Sequence, residues 1–200
     1  MDLSFSTVRD FAQVMQGFGR PWFVSGGWAI DLFLGRATRE HADVEIGVYR
    51  SDQNFLRAHL SGWALEKAIQ TPEGGKWVPW QSNEELQLPI HQIKATCSRP
   101  GHGELEFFLN ERIGTHWASR RHCGLMVPAD DATMISFLQI PILAPQIQLL
   151  FKAKQTRPKD QADFECTLPR LKSAQIEWLT TALRKYHPAH PWIDTACATN

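Results

Sequence analysis

One segment, residues 25–48, constrains the fold of this chain more than any other. It begins with a glycine turn at 25–27, continues through an apolar stretch of helical character, and ends in a strand-like run that carries Asp43 and Glu45. Side chains alternate between the two faces of a strand, so residues two apart point the same way. The pattern therefore predicts that Asp43 and Glu45 project together from one face of a strand.

The acidic pair has two interpretations. Val44 and Ile46 fall on the opposite, core-facing side of the same strand. Two carboxylates this close raise each other's pKa unless a cation lies between them. Mg²⁺ suits such a site, because it binds one or two carboxylates and completes its octahedron with water and substrate phosphates. The alternative is a strand with one solvated face, on which acidic residues cost little.

The glycine turn adds context to the acidic strand. Ser25, Gly26 and Gly27 lie between a short apolar strand, 22–24, and an apolar helix, 28–34. Glycines at such a turn let a phosphate approach the backbone, and the helix N-terminus offers free N–H donors. The Ser25 hydroxyl is a further donor. Glycine pairs are common in turns, but a glycine turn followed by an Asp-x-Glu strand is a more specific pattern and favours a phosphate at the turn.

Length and composition limit the functional classes. Two hundred residues with 43% hydrophobic content suffice for one domain, or for one domain with a small helical appendage. Lys+Arg and Asp+Glu are equal at 21 each, so no global field attracts nucleic acid or an anionic membrane. A nucleic-acid partner and a membrane partner are therefore not expected, and the sequence does not determine the oligomeric state.

The pattern of the N-terminal residues and the spacing of the cysteines favour a cytoplasmic location. The four cysteines are scattered without zinc-type spacing, which favours a reduced chain. The N-terminus lacks a signal-peptide pattern, and no apolar run is long enough to span a bilayer. A cytoplasmic protein is expected.

The motif resembles that of a known family. The matching residues are GGWAID at 26–31 and GRATREHADVEI at 35–46. They resemble the signature of the small antibiotic-type nucleotidyltransferases in the DNA-polymerase-β-like superfamily, near the aminoglycoside 2″-adenylyltransferases and lincosamide nucleotidyltransferases. The run at 145–164 resembles the helical segment of the same group. Neither block is specific for an acceptor substrate.

The resemblance implies an α+β fold, with a nucleotidyltransferase-type mixed β-sheet, flanking helices and a helical C-terminal portion. The expected division is an α/β core at 1–143, a helical portion at 144–194 and a frayed tail at 195–200. Helices are expected near 145–155, 158–168 and 173–185, where prolines or a serine lie at their starts.

A third carboxylate is expected on a neighbouring strand. Alternation puts Glu104 and Glu106 on one face, with Leu105 and Phe107 on the other. By resemblance Glu106 is the better match and Glu104 the second choice, although aspartate is the commoner residue there. Glu106 is either a ligand of the metal, with Asp43 and Glu45, or the base that deprotonates an acceptor hydroxyl. An exposed edge strand carrying acids is the alternative.

Several cations are candidates for phosphate binding. Arg39 is suited to bidentate contact with a phosphate, or else balances the nearby acids in a basic loop. By resemblance Lys152 or Lys154 reaches the nucleotide phosphates. Two apart on a helix, these lysines do not share a face, so one at most is expected to point into the cleft. Both also suit a helix C-terminus.

The acceptor pocket is expected to form from residues 70–100 and the C-terminal helices. Trp77 and Trp80 either stack on a base or drug ring or cover the edge of the core.

The implied function is that of an adenylyltransferase-like nucleotidyltransferase. It would move a nucleoside monophosphate, most simply AMP from ATP, to a hydroxyl of a small-molecule acceptor such as an aminoglycoside or lincosamide-like compound. One or two Mg²⁺ ions would be the cofactor, and pyrophosphate would leave. Two alternatives stay open. One is a toxin-type enzyme acting on a protein or on RNA, for which Arg120, Arg121 and His122 form a local basic patch. The other is a non-catalytic nucleotide-binding module.

Overall fold

The computed structural model describes residues 5–97 and 104–199. The elements in chain order are α1 (Ser6–Val14), β1 (Trp22–Ser25), α2 (Gly26–Leu34), β2 (Glu45–Tyr49), α3 (Gln53–His59), β3 (Ala64–Thr71), β4 (Gly74–Pro79), β5 (Gln92–Thr96), β6 (Glu104–Ile113), β7 (His116–Ala118), β8 (Met126–Pro128), α4 (Ala129–Ala132), β9 (Thr133–Ile135), β10 (Pro141–Leu143), α5 (Pro145–Lys152), α6 (Pro158–Thr167), α7 (Ser173–Tyr186) and α8 (Trp192–Thr199). Short 3₁₀ turns follow β2, α5 and α6, at Arg50–Asp52, Ala153–Gln155 and Leu168–Arg170.

The strands of the described chain form one mixed sheet. Its order is β4-β3-β5-β6-β2-β1-β10-β9, and β7 extends β6 and pairs with β8. The pairs β2–β6 and β1–β10 are parallel, and the other pairs are antiparallel. This mixed sheet with helices confirms the predicted α+β class.

The two faces of the sheet pack against different partners. On one face, apolar residues of the central strands, such as Ile46 and Phe107, join α1, α2 and α3 in the largest core cluster. On the other face, Phe23 and Tyr49 pack with Trp117, Val127, Leu143 and Ile147. Both faces of β1 and β2 are therefore covered, which is why most residues of these two strands are buried.

The C-terminal helices form a third cluster on α2. Ile30 of α2 packs with buried apolar residues of α5, α6, α7 and α8. The rings of Phe164 and Trp192 stack with centroids 4.1 Å apart. The expected frayed tail from 195 differs from this arrangement, because 192–199 is helical and Ala196 is fully buried. The division into a core at 1–143 and a helical portion at 144–194 stays a prediction.

The acidic strand begins later than expected. β2 starts at Glu45, so Asp43 precedes the strand instead of lying on it. The pairing of β1 with β2 ends at Ser25 opposite Glu45, where β1 gives way to α2, and residue 43 has no partner on that side. Val44 and Ile46 are buried in the core, as expected.

Of the helices that the structure describes, none has both the length and the apolar character needed to cross a membrane.

Candidate active site

A cavity of about 650 Å³ lies where β1 and β2 meet the start of α2. Its walls come from the sheet, from the loop between α2 and β2, from the segment between β7 and β8, and from α5 and α6. The lining residues include Ser25, Gly26, Gly27, Arg39, Asp43, Glu45, Arg120, Arg121, Lys152 and Lys154. The cavity therefore brings together every predicted site residue except Glu106. In the part of the chain that the structure describes, none of residues 70–97 lines it, whereas α5 and α6 do.

Three adjacent strands set a row of polar side chains at the edge of this cavity. Ser25 lies opposite Glu45 on the antiparallel pair β1–β2, and Glu45 lies opposite Glu106 on the parallel pair β2–β6. The Ser25 Oγ is 3.5 Å from Glu45 Oε2. Gln92 of β5 donates from Nε2 to Glu106 Oε2 at 2.9 Å. Glu104 is more exposed and lies 3.7 Å from Lys94 Nζ. The row thus favours Glu106 over Glu104 as the neighbour of Glu45.

The environment of the row disfavours negative charge. Burial raises the pKa of Glu45, and the Asp43 carboxylate raises it further, while Lys152 opposes both effects. Burial also raises the pKa of Glu106, and the hydrogen bond from Gln92 opposes this. A cation bound beside Glu45 would relieve the repulsion from Asp43.

The donor set around Glu45 suits Mg²⁺ in chemical type. Asp43, Glu45 and Glu106 offer only carboxylate oxygens, which are the ligands that this ion prefers. Across 5–97 and 104–199, however, no three Asp, Glu, His or Cys side chains are arranged to hold a metal ion. Asp43 and Glu45 with water and substrate phosphates therefore fit the ion better than a preformed centre of three carboxylates.

The two glycines of the turn lie where a Cβ would meet neighbouring side chains. Gly26 has φ of +72°, and a Cβ there would lie 2.9 Å from Glu45 Cδ. A Cβ on Gly27 would overlap the side chains of Arg39 and His41. The Gly26 N–H donates to Gln148 Oε1 at 2.8 Å, so α5 supplies an acceptor to the first backbone donor of α2.

The basic loop between α2 and β2 is held by carboxylates. Arg39 Nε and Nη2 donate to the two oxygens of Asp163 at 3.3 and 3.2 Å. His41 Nε2 lies 2.7 Å from Asp31 Oδ2, and Thr38 donates to Asp31 Oδ1. Asp31 is fully buried. Arg39 therefore lines the cavity while its guanidinium is paired with Asp163 of α6, a partner distant in the chain and not one of the nearby acids that the charge-balancing alternative named.

Lys152 is also paired with α6. Its Nζ lies 3.0 Å from Asp160 Oδ1 and 2.7 Å from Asp163 Oδ2, and all three residues are buried. Lys154 is exposed. Both lysines line the cavity, but the Lys152 ammonium is bound by Asp160 and Asp163, so the expectation that one at most points into the cleft stays a prediction.

Sequence reasoning missed three residues of this region. Asp160 and Asp163 lie three apart on α6 and share a face, a spacing that marks them as a pair. Because both residues are distant from Arg39 in the chain, the sequence does not indicate that Arg39 pairs with this helix. Gln148 has no signal in the sequence, because an isolated glutamine in an apolar helix is usually unremarkable.

The tryptophans of the 70–85 segment lie away from the cavity. Trp80 is buried in the core, and its indole N–H donates to the Glu84 carbonyl at 3.0 Å. Trp77 lies on β4, with the Lys94 ammonium 4.9 Å from its ring centroid. Trp80 therefore covers the edge of the core.

Comparisons with known proteins agree with this architecture. Residues 7–94 match the family model described as aminoglycoside-2''-adenylyltransferase. No curated protein matches the chain in sequence. Among solved structures, the antibiotic-resistance factor ANT(2'')-Ia in solution matches with a TM-score of 0.58 at 14% identity, covering 93% of this chain and 94% of that chain.

Two further solved structures are similar. The lincosamide antibiotic adenylyltransferase LnuA with bound lincomycin matches with a TM-score of 0.54 at 15% identity, over 80% of this chain and 93% of that one. ANT(2'')-Ia in complex with adenylyl-2''-tobramycin gives 0.52 at 14% identity, over 90% and 97%. At these identities the matches concern the fold.

The family model and LnuA are described as adenylyltransferases, and ANT(2'')-Ia is described as an antibiotic-resistance factor. The predicted class of enzyme, a nucleotidyltransferase, agrees with the family model over residues 7–94 and with the fold of the solved structures. The chain has the fold of the antibiotic nucleotidyltransferases, and its residues 7–94 carry the pattern of the aminoglycoside-2''-adenylyltransferase family.

Proposed function

We propose that this protein is a Mg²⁺-dependent nucleotidyltransferase that moves AMP from ATP to a hydroxyl group of a small-molecule acceptor and releases pyrophosphate. One observation carries the proposal. Glu45 lies in register between Ser25 and Glu106, with Asp43 beside it, at the turn that opens α2. A carboxylate whose pKa is raised, next to a helix N-terminus in a cavity, is typical of a site for phosphate chemistry.

Asp43 and Glu45 are the proposed holders of Mg²⁺. When bound, the ion would supply positive charge to the triphosphate and to the attacking and leaving oxygens. The protein's own contribution is position, because β2 holds Glu45 between β1 and β6, and Gly26 leaves the space that the Glu45 carboxylate occupies.

Glu106 is the proposed proton acceptor. As the acceptor hydroxyl attacks, its oxygen forms a bond to the α-phosphorus and its proton passes to the Glu106 carboxylate. The bond from the α-phosphorus to the oxygen bridging to the β-phosphorus breaks, and pyrophosphate leaves with that electron pair. A raised pKa makes a carboxylate a stronger base while it stays ionised.

The phosphates would lie against Ser25, Gly26 and Gly27 at the start of α2. Lys154 is exposed at the cavity and free to reach them, whereas Arg39 and Lys152 hold the wall through their carboxylate partners. The acceptor class is proposed from the relatives, whose structures hold lincomycin and an adenylylated tobramycin. An aminoglycoside or lincosamide-like acceptor is the first choice.

The test is a transfer assay with ATP, Mg²⁺ and a panel of aminoglycosides and lincosamides. We expect pyrophosphate release together with an acceptor whose mass increases by one adenylyl group. Asp43→Asn and Glu45→Gln should each lower the rate at least about 100-fold, since each removes charge that acts in the transition state. Glu104→Gln is the matched control on β6 and should retain the rate.

Other outcomes would redirect the proposal. Nucleotide binding by the wild-type protein without pyrophosphate release, across the whole panel, would indicate a non-catalytic module. Adenylylation of a protein or an RNA in place of small molecules would indicate the toxin-type alternative.

A further inference from the structure

Two arginines of the cavity are not explained by the ion pairs around it. Arg120 and Arg121 lie between β7 and β8 and line the same cavity as Glu45. In the parts of the chain that the structure describes, neither guanidinium has a carboxylate within ion-pair distance. Each lies over an aromatic ring instead, Arg120 at 5.6 Å from the Phe108 centroid and Arg121 at 5.3 Å from that of Phe151.

Three other cations of the cavity, which lie near α6, are paired with carboxylates. Arg39, Lys152 and Arg157 all lie within 3.2 Å of Asp160 or Asp163 oxygens. The exposed lysines of the cavity, Lys154 and Lys159, are hydrated without cost. Arg120 is half-buried and, among the described residues, has no carboxylate within ion-pair distance, so it differs from both groups.

Holding two guanidiniums in one cavity is unfavourable without an anion. Burial lowers the pKa of Arg120 to about 10, and the neighbouring Arg121 lowers it as well, while Glu45 acts in the opposite direction. Both arginines interact electrostatically with Glu45, which puts them near the proposed reaction centre. Guanidinium forks match the oxygens of phosphate groups bidentately. Two such forks lining one cavity therefore suit two linked phosphates.

We propose that Arg120 and Arg121 bind the β- and γ-phosphates of the donor nucleotide and hold them as the pyrophosphate leaves. This inference rests on the proposed function, since it assigns a subsite of the same cavity. Two linked phosphates are the ligand chemistry, and free pyrophosphate is therefore a direct probe of the subsite. The arginines neutralise the charge that develops on the leaving group and take no proton.

The experiment is isothermal titration of the folded full chain with three ligands in the presence of Mg²⁺: pyrophosphate, a non-hydrolysable ATP analogue and AMP. Arg120→Gln and Arg121→Gln should each weaken pyrophosphate and the ATP analogue about tenfold, the scale of a lost charge-assisted contact. AMP affinity should stay within about twofold, because AMP lacks the two outer phosphates.

Controls separate the subsite from charge and folding effects. Arg170→Gln removes the same charge at an exposed position outside the cavity and should change none of the three affinities. Arg121 is exposed, so its variant tests the proposal even where Arg120→Gln folds poorly, and Arg120→Lys should retain part of the affinity.

The outcomes distinguish this proposal from the proposed function. If the wild type transfers AMP but both glutamine variants bind pyrophosphate as the wild type does, the subsite is wrong and the function stands. An equal loss of AMP and of the ATP analogue would also overturn it. If the arginines prove necessary for pyrophosphate binding but no acceptor is adenylylated, the subsite stands and the proposed function fails.

Discussion

The wall of the cavity that the strands form (the sheet wall) and the wall that α5 and α6 form (the helix wall) differ in whether their buried charges are paired. On the helix wall, Asp160 and Asp163 are almost fully buried, and each has two cationic partners. On the sheet wall, Glu45 has Asp43 as its charged neighbour and, in the described ranges, no cation within ion-pair distance. The helix wall satisfies its charges, whereas the sheet wall carries charge that destabilises the fold. Such a cost is typical of residues kept for chemistry.

The pKa directions express the same contrast. Burial works against ionisation of Asp160, but hydrogen bonds from Arg157 and Lys152 overcome it and hold its pKa at about 2. For Glu45, burial and Asp43 act together and the pKa is raised. One carboxylate is thus stabilised as an anion by its partners, and the other is not.

The largest effect is expected from breaking the helix wall. Lys152→Met removes the cation shared by Asp160 and Asp163 and leaves each buried carboxylate with one partner fewer. We expect the free energy of unfolding to fall by about 3 kcal/mol, the scale for breaking a buried ion pair. Denaturant unfolding measures it. Lys154→Met, at an exposed position two residues away, should change it by less than about 0.5 kcal/mol. Equal effects of the two variants would mean that the network contributes little.

Alanine substitutions at two glycines separate the cost of a positive φ from the cost of a contact with Glu45. Gly26 and Gly35 both have positive φ, +72° and +74°, so alanine is strained at either position. A Cβ on Gly35 has nothing within 4 Å, whereas on Gly26 it meets Glu45. We expect Gly35→Ala to cost about 1 kcal/mol and Gly26→Ala about 2 kcal/mol. The difference, measured by thermal and denaturant unfolding, isolates the contact with Glu45, and identical losses would rule that contact out.

The smallest effect is a gain in stability. Glu45→Gln removes a half-buried carboxylate and should raise the free energy of unfolding by about 1 kcal/mol at pH 7, as is common when strained active-site residues are replaced. Because the folded pKa of Glu45 lies above the ordinary value of 4.5, the folded wild type binds more protons than its unfolded chain between these values. Wild-type stability therefore falls as pH rises through that interval, and the variant lacks this fall.

Unfolding curves at several pH values check the sign. The advantage of Glu45→Gln should be absent below about pH 4.5 and complete above the folded pKa of Glu45. The exposed Glu104→Gln should change stability by less than about 0.5 kcal/mol. An advantage of Glu45→Gln that grows on acidification would contradict the assignment of Glu45 as a destabilising anion.

Local patterns predicted the sheet wall well. Alternation put Glu45 and Glu106 on strands and their apolar neighbours in the core, and the structure has both strands side by side. The predicted strand extends too far toward the N-terminus and includes Asp43. The reason is that alternation of polar and apolar residues does not reveal where β1 ends and no longer pairs with β2. The family resemblance, which the fold comparisons confirm, came from the same local motif.

Contacts distant in sequence were beyond local patterns. Arg39 and Asp163 are 124 positions apart, so neither residue reveals the other in the sequence. The helix at 192–199 was missed for a related reason. Its sequence follows two His-Pro steps and favours a frayed end, but Trp192 stacks on Phe164 and donates to Gln161 at 2.6 Å. Tertiary packing, more than intrinsic helical preference, stabilises such short helices.

The parallel register of β2 and β6 makes the geometry of the site depend on the packing of the core. Ile46 opposite Phe107 and Val48 opposite Leu109 are fully buried, and this packing fixes which carboxylates face each other. A shift of one residue would turn Glu45 into the hydrocarbon interior and leave Glu106 without its neighbour. Substitutions among these four apolar residues therefore face a functional limit as well as a packing limit, although none of the four touches a substrate. Substitutions of these core residues are tolerated only where they preserve the spacing of Glu45 and Glu106.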